Sequence, residues 1–131
     1  MAKILVIEDN AANMRLATFV LESAGHIVLG ATDAEFGLTV ARDQQPDLVL
    51  MDIQLPGMDG LQATALLKAD AATRAIPVIA LTALAMKGDE ERIRAAGCDG
   101  YIAKPLAYKN VLAVINAHLL KADLEHSGTL P

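Results

Sequence analysis

Short apolar runs alternate along the chain with longer stretches in which apolar and polar residues are mixed. The runs are continuous and rich in valine and isoleucine, and they occupy residues 4–7, 27–29, 48–51 and 78–81, with a weaker fifth run at 101–103. Continuous apolar runs bounded by glycine, proline or acidic residues are typical of strands buried on both faces of a parallel sheet. The pattern therefore predicts five strands, and we expect the second to lie at an edge.

The stretches between the runs carry apolar residues at helical spacing. They occupy residues 10–24, 34–44, 60–68, 89–97 and about 107–120, and the first, second and fourth end at or near Gly25, Pro46 and Gly97. A strand followed by a helix, five times over, predicts right-handed β–α–β units around a parallel sheet with helices on both faces. Residues after Leu120 lose the periodicity, and we expect them to form a frayed tail.

The composition is that of one ordinary globular domain. The chain has 131 residues, of which 53% are hydrophobic and 21% charged, and these values exclude a disordered chain. Eleven Lys and Arg against sixteen Asp and Glu give a net charge of −5, which argues against a nucleic-acid partner. The single cysteine, Cys98, excludes an internal disulfide and a multi-cysteine zinc site.

The sequence also carries no sign of a membrane partner or of export. Every apolar run is much shorter than the roughly 18 residues that a membrane span needs. The apolar stretch at the amino terminus ends in Glu8 and Asp9, unlike the core of a signal peptide. We therefore expect a cytoplasmic protein.

Polar side chains follow each strand that would line the middle of the sheet. The first strand ends in Glu8 and Asp9, the third in Asp52, the fourth in Thr82 and the fifth in Lys104. Because the carboxyl ends of parallel strands meet at one edge, we expect these groups to share one crevice.

Three carboxylates in one crevice repel one another unless a cation lies between them. Mg²⁺ suits such a site because it accepts one or two carboxylates and leaves room for phosphate oxygens. Asp9 taken alone is equally well interpreted as a helix N-cap, but three acids at matching strand ends favour a metal. Lys104 is a point charge suited to phosphate, and Asp52, alone at a central strand end, is the best candidate for a nucleophile toward phosphorus.

Four motifs together resemble the receiver domain of bacterial two-component response regulators. They are Ile-Glu-Asp-Asn at 7–10, Met-Asp-Ile-Gln-Leu-Pro-Gly-Met-Asp-Gly at 51–60, Ala-Leu-Thr-Ala at 80–83 and Gly-Tyr-Ile-Ala-Lys-Pro at 100–105. The resemblance implies a flavodoxin-like α/β fold with the strand order 2-1-3-4-5. It implies a receiver domain over residues 1–122 and a tail over 123–131.

The resemblance assigns roles to the acidic residues. It implies that Asp52 is the phosphoacceptor and also a ligand of Mg²⁺. Asp9 would be a direct ligand of the ion, and Glu8 would hold it mainly through water. The backbone carbonyl of Gln54 would be a further ligand.

The resemblance also implies a phosphate-binding set and a switch. Lys104 would contact the phosphate, and its bond to Pro105 would be cis. Thr82 would be the switch hydroxyl, and Tyr101 the aromatic side chain that moves with it. The backbone N–H of Ala83 would also meet the phosphate.

The implied mechanism is transfer of a phosphoryl group from a phosphohistidine on a sensor histidine kinase or a histidine phosphotransfer protein. The resemblance implies that the domain would then hydrolyse its own acyl phosphate slowly, and that it would act as a signalling phosphoacceptor and not as an enzyme. Phosphorylation would change the surface formed by the fourth helix, fifth strand and fifth helix, to which a downstream protein would bind.

Residues 85–98 resemble stand-alone cell-cycle and polarity regulators of alphaproteobacteria and also receivers attached to hybrid histidine kinases. A first residue of Met and an end soon after the fifth helix favour a single-domain regulator.

Three alternatives stay open. The alternatives to a stand-alone switch are a receiver fragment of a hybrid histidine kinase, a degenerate receiver that only binds proteins, and a Mg²⁺-dependent phosphohydrolase of related topology. Degenerate receivers usually lack one of the site residues, and all of them are present here. Such phosphohydrolases typically carry a second acid two residues after the nucleophile, where this chain has Gln54.

Overall fold

Five parallel strands form one sheet in the order β2-β1-β3-β4-β5. They are β1 (Lys3–Ile7), β2 (Ile27–Ala31), β3 (Leu48–Asp52), β4 (Val78–Thr82) and β5 (Gly100–Ala103). The computed structural model describes residues 1–83 and 87–127. The predicted number of strands, their parallel sheet and its order are confirmed.

Five helices connect and follow the strands: α1 (Ala11–Ser23), α2 (Ala34–Gln44), α3 (Gly60–Ala69), α4 (Lys87–Ala95) and α5 (Tyr108–Ser127). The predicted end of the last helix near residue 120 is wrong, because α5 continues to Ser127. The apolar periodicity is lost after Leu120, but residues 121–127 contain neither glycine nor proline to stop the helix. Residues 123–127 of the predicted tail are therefore helical, and residues 128–131 lie outside the described residues.

The sheet separates two apolar cores, one on each face. On one face, alternate residues of the central strands pack with α2, α3 and α4, through side chains that include Ala41, Leu67 and Ile93. On the other face, the remaining alternate residues pack with α1 and α5, through Leu21 and Ile115 among others. Helices therefore cover both faces of the sheet, as a continuous apolar pattern in the strands requires.

The position of each strand in the sheet determines how far it is buried. All five residues of β3 and of β4 are buried. In β2 only Ala31 is buried, and Ile27 is 47% exposed. The second strand lies at an edge, as predicted, and no other strand of residues 1–83 and 87–127 pairs with its outer side. In the described part of the chain, no helix has both the length and the apolarity needed to cross a membrane.

The register of the strands aligns their carboxyl ends. Ile7 is opposite Met51, Asp52 is opposite Leu81, and Thr82 is opposite Ala103. The residues that follow Ile7 and Ala103 therefore arrive at the same edge as Asp52 and Thr82. The first helix begins beside this edge, where the Asn10 side chain accepts a hydrogen bond from the Asn13 N–H at 3.0 Å and caps it.

Candidate metal and phosphate site at the carboxyl edge of the sheet

Three acids meet at the carboxyl edge of the sheet. Carboxylate oxygens of Glu8, Asp9 and Asp52 all lie within 4.8 Å of one another. Glu8 and Asp52 are buried, with 1% and 2% of their surface exposed, whereas Asp9 is exposed. The structure thus brings together the three acids that the sequence places at the ends of two neighbouring strands.

The carboxylate of Asp52 is held by a different group at each oxygen. Its Oδ1 accepts a hydrogen bond from the backbone N–H of Gln54 at 2.9 Å. Its Oδ2 accepts one from the ammonium of Lys104 at 3.0 Å. These two contacts fix the rotation of the carboxylate, which lies at the end of the rigid central strand β3.

Lys104 reaches the acids from the end of β5. Its backbone N–H donates to the carbonyl of Thr82 at 2.8 Å, which continues the sheet by one residue, and the Lys104–Pro105 bond is cis as expected. The Nζ atom lies 3.3 Å from Oε2 of Glu8 as well as 3.0 Å from Asp52. Burial lowers the pKa of Lys104, but the two carboxylates outweigh burial and raise its pKa above the usual value, so the side chain is a cation.

Glu8 is the least satisfied group of the site. Its Oε1 accepts a hydrogen bond from the backbone N–H of Asn10 at 3.2 Å. Its Oε2 is buried and has no hydrogen-bond partner among the described residues, although the ammonium of Lys104 is close enough for an ion pair. Burial, and then the neighbouring Asp52 carboxylate, raise the pKa of Glu8.

This arrangement fits a hard divalent cation. The three acids offer carboxylate oxygens, which are among the ligands that Mg²⁺ prefers. When the three carboxylates are ionised, they carry three negative charges against the one positive charge of Lys104. A divalent cation would balance the difference, and it would give the buried Oε2 of Glu8 a partner, directly or through water.

The other residues singled out in the sequence line the same edge. Thr82 is buried at the end of β4, Ala83 is exposed beside it, and Gln54 is exposed after β3. Tyr101 is half-buried in β5 and packs against the core on the α4 side of the sheet. Because side chains alternate along a strand, Thr82 and Tyr101 project from the same face of the sheet.

Two contributors to the site were missed in the sequence. The backbone N–H of Asn10 binds Glu8, and nothing in the pattern indicates this contact. Gly60 begins α3 directly against the backbone of Asp52 and Ile53, so closely that a Cβ atom there would overlap the Asp52 carbonyl oxygen. The sequence predicts a helical stretch that begins at Gly60, but its pattern does not indicate how closely the helix approaches Asp52.

Comparison with known proteins gives a consistent result. Residues 4–116 match the model of the response regulator receiver domain. The chain is 46% identical over 116 residues to the polar-differentiation response regulator DivK of Brucella anthropi, covering 88% of this chain and 94% of that protein.

Solved structures agree with this comparison. The receiver domain of the sensor histidine kinase PA1611 from Pseudomonas aeruginosa, with a magnesium ion coordinated in its active site cleft, superposes with a TM-score of 0.84. The two chains are 35% identical, over 90% of this chain and 97% of that one. A CheY-like response regulator receiver domain protein from Methanospirillum hungatei gives a TM-score of 0.86 at 29% identity, over 95% of this chain and 98% of that one.

Proposed function

Because the chain belongs to the response regulator receiver family, we propose that it is a phosphorylation switch whose phosphoacceptor is Asp52. The phosphoryl group would come from a phosphohistidine on a sensor histidine kinase or a histidine phosphotransfer protein. The reaction would depend on Mg²⁺ and take place in the cytoplasm. The phosphorylated form would control a downstream protein through the surface of α4, β5 and α5.

One observation carries the proposal: the Asp52 carboxylate, buried at the end of a central strand, is held between an N–H group and an ammonium beside two further acids. A carboxylate that is fixed in this way can attack phosphorus without first losing conformational freedom. Its neighbours already provide the positive charge that a transferring phosphoryl group requires. A structural ion pair alone would not need the exposed Asp9 or the unsatisfied oxygen of Glu8.

Mg²⁺ would be held by Asp9, Asp52 and the backbone carbonyl of Gln54, with Glu8 acting mainly through water. When bound, the ion neutralises charge on the phosphoryl oxygens. The exposure of Asp9 and Gln54 leaves this side of the site open to a phosphodonor.

The chemical step breaks one bond and forms another. An oxygen of the Asp52 carboxylate attacks the phosphorus atom of the phosphohistidine, the P–N bond breaks, and its electron pair returns to the imidazole of the donor. The product is an acyl phosphate on Asp52. The Lys104 ammonium would then contact the phosphoryl oxygens, and the Thr82 hydroxyl and the Ala83 N–H would donate hydrogen bonds to them.

The same contacts would transmit the signal. Phosphorylation draws the Thr82 hydroxyl toward the phosphate, and Tyr101, on the same face of the sheet, moves into the space that it leaves. The surface of α4, β5 and α5 then changes, and a protein that binds the changed form better shifts the population toward it. Slow hydrolysis of the acyl phosphate would end the signal.

The alternative of a receiver that only binds proteins is less well supported. A chain without the chemistry would have no reason to keep the buried Glu8, whose Oε2 lacks a hydrogen-bond partner among the described residues. The phosphohydrolase alternative would need an acid at position 54, where this chain has Gln54, whose backbone N–H binds Asp52. Whether a longer kinase carries this domain does not change the chemistry that is proposed for it.

The proposal is tested by binding of a stable phosphoryl mimic. Amide NMR spectra of the chain are recorded with Mg²⁺ alone and with Mg²⁺ and beryllofluoride. We expect Mg²⁺ to shift residues around the acids, and the mimic to shift Ala83, Lys104 and Tyr101 in addition. Asp52→Asn should abolish the second set of shifts. Asp47→Asn is the matched control, because Asp47 accepts the Lys3 N–H at the opposite edge of the sheet, and the change should leave both sets intact. Absence of any local shift with the mimic would contradict the proposal and favour the binding module.

A further inference from the structure

The peptide group between Ile53 and Gln54 is held from both of its sides. Its N–H, on Gln54, donates to Oδ1 of Asp52 at 2.9 Å. Its carbonyl, on Ile53, accepts a hydrogen bond from the Gly60 N–H at 3.3 Å. Because a peptide group is planar and rigid, the contact at the carbonyl also determines where the N–H points.

Gly60 sets the position of this peptide by direct contact. A Cβ atom at position 60 would lie 2.6 Å from the Cα atom of Ile53, a distance that real Cβ atoms do not reach. The first residue of α3 is therefore packed on the backbone that carries the Asp52 side chain. A change in the orientation of the first turn of α3 moves the Ile53–Gln54 peptide with it.

Thr64 holds this first turn from inside the protein. Its side chain is fully buried, and its hydroxyl donates to the Gly60 carbonyl at 2.8 Å. The same hydroxyl oxygen accepts a weak hydrogen bond from the Cys98 thiol at 3.7 Å. A buried hydroxyl that is bonded on both sides has one favoured rotation, so it keeps the Gly60 carbonyl in a fixed place.

We propose that Thr64 is a positioning residue for the phosphoacceptor, acting through Gly60 and the Ile53–Gln54 peptide on the Asp52 carboxylate. This inference rests on the proposed function for the role of Asp52. Thr64 touches none of the reacting atoms. It keeps the Gln54 N–H on Oδ1, so that Oδ2 is the oxygen presented to Lys104 and the carboxylate stays in one rotation. Without the hydroxyl, the peptide gains freedom, and the carboxylate spends less time in the reactive orientation.

Thr64→Val tests this role because it removes the hydroxyl and nearly conserves the volume. Thr73→Val is the matched control. Thr73 is also buried, and its hydroxyl donates to the backbone carbonyl of Leu67 in α3 at 2.7 Å. This contact lies at the carboxyl end of α3, far from Gly60 at its amino end. Thr64→Ser restores the hydroxyl and should rescue any effect of positioning.

Two measurements are made on each variant beside the free energy of unfolding in urea. The first is hydrogen exchange of the Gln54 amide in Mg²⁺-free buffer, which reports the hydrogen bond to Asp52 without any chemistry. The second is the rate constant of phosphorylation by a small-molecule phosphodonor at saturating Mg²⁺. Loss of one hydrogen bond should raise the exchange rate of the Gln54 amide and lower the phosphorylation rate constant, each by roughly threefold to tenfold.

In Thr64→Val we expect faster exchange of the Gln54 amide and slower phosphorylation, both restored in Thr64→Ser. Thr73→Val should lose a similar amount of stability and keep wild-type values in both measurements.

If Thr64→Val behaves like Thr73→Val, Thr64 is merely structural and the inference is wrong. If the wild-type chain is not phosphorylated, the proposed function fails, and the exchange of the Gln54 amide alone decides the positioning role. If Thr64→Val does not fold, Thr64→Ala and Thr73→Ala make the same comparison.

Discussion

The Nζ atom of Lys104 lies 3.0 Å from Oδ2 of Asp52, although the two residues are separated by 52 positions in the chain. They meet because β3 and β5 both end at the same edge of the sheet, with β4 between them. The ammonium partly compensates the charges of Asp52 and Glu8, and it stands beside the acids that would bind a metal ion. We therefore expect Lys104 to stabilise the metal-free chain and to compete with a cation for the same carboxylates.

Lys104→Met should separate these two effects. The variant keeps an unbranched apolar side chain of similar length but leaves two buried carboxylates without a cation, so it should lose about 1–3 kcal/mol of unfolding free energy in Mg²⁺-free buffer. Mg²⁺ should stabilise the variant more than it stabilises the wild type, because the ammonium no longer repels it. Urea unfolding with and without Mg²⁺ measures both quantities.

Lys68→Met provides the control for this prediction. Lys68 is also partly buried and ion-paired, to Asp99 at 2.9 Å, but it lies away from the acids. Its replacement should lower the unfolding free energy, but Mg²⁺ should raise that free energy by as much as it does in the wild type. If Mg²⁺ raises the unfolding free energy of Lys104→Met and of the wild type by the same amount, the lysine and the ion do not share the carboxylates.

Glu8→Gln should stabilise the metal-free chain while it weakens the metal site. The substitution removes a buried charge whose Oε2 has no hydrogen-bond partner among the described residues and whose pKa is raised by burial and then by Asp52. We expect a higher unfolding free energy without Mg²⁺ and an affinity for Mg²⁺ about tenfold lower. Calorimetric titration with Mg²⁺ and urea unfolding test the two parts, and a variant that is less stable and binds Mg²⁺ normally would contradict both.

His26 should make stability depend on pH at the opposite edge of the sheet. Its Nδ1 accepts the Ala2 N–H at 3.1 Å, and burial, followed by the positive amino terminus, lowers the pKa of His26. Because the ordinary pKa is about 6.5, the unfolded chain takes up the proton first as the pH falls below that value. The contribution of His26 to stability is therefore intact above that pH and decreases below it.

His26→Asn removes this titration and keeps an oxygen, Oδ1, near the place of Nδ1, where it can accept the Ala2 N–H. The difference in unfolding free energy between wild type and variant should be constant at neutral and alkaline pH. It should shift in favour of the variant as the pH is lowered toward 5. A difference that stays flat over the whole range would mean that His26 titrates normally in the folded chain.

Cys98 should react slowly with thiol reagents in the folded protein. Only 6% of its surface is exposed, and burial raises the pKa of its thiol, so the reactive thiolate is scarce. In urea the same reagent should modify the chain rapidly and stoichiometrically. Rapid modification of the native chain would indicate that the loop between α4 and β5 opens readily.

Much of this architecture could be predicted from the sequence, because it depends on local patterns. The continuous apolar runs indicate strands buried on both faces, and the polar residues after the first, third, fourth and fifth runs indicate one functional edge. The end of α5 could not be predicted in this way, because apolar periodicity reports which face is buried and not how far the backbone hydrogen bonds continue. The chain from Leu120 to Ser127 is helical although the apolar periodicity is lost there.

The finer geometry of the site depends on contacts between distant segments. Asp9 and Glu8 are neighbours in the sequence, yet one is exposed and the other buried, because their side chains leave the end of β1 differently. The contact of Gly60 with Asp52 depends on how closely α3 approaches β3, which no pattern along the chain records. In the resulting geometry, one oxygen of the Asp52 carboxylate faces the Gln54 N–H and the other faces the Lys104 ammonium.

The central claim is that Asp52 accepts a phosphoryl group, and the most direct test is the intact mass of the chain after incubation with Mg²⁺ and a small-molecule phosphodonor. The account predicts the addition of a single phosphoryl group that requires Mg²⁺ and does not occur in Asp52→Asn. Asp47→Asn should be modified like the wild type. An unmodified wild-type chain that also fails to bind beryllofluoride, or a phosphoryl group that persists in Asp52→Asn, would contradict the account.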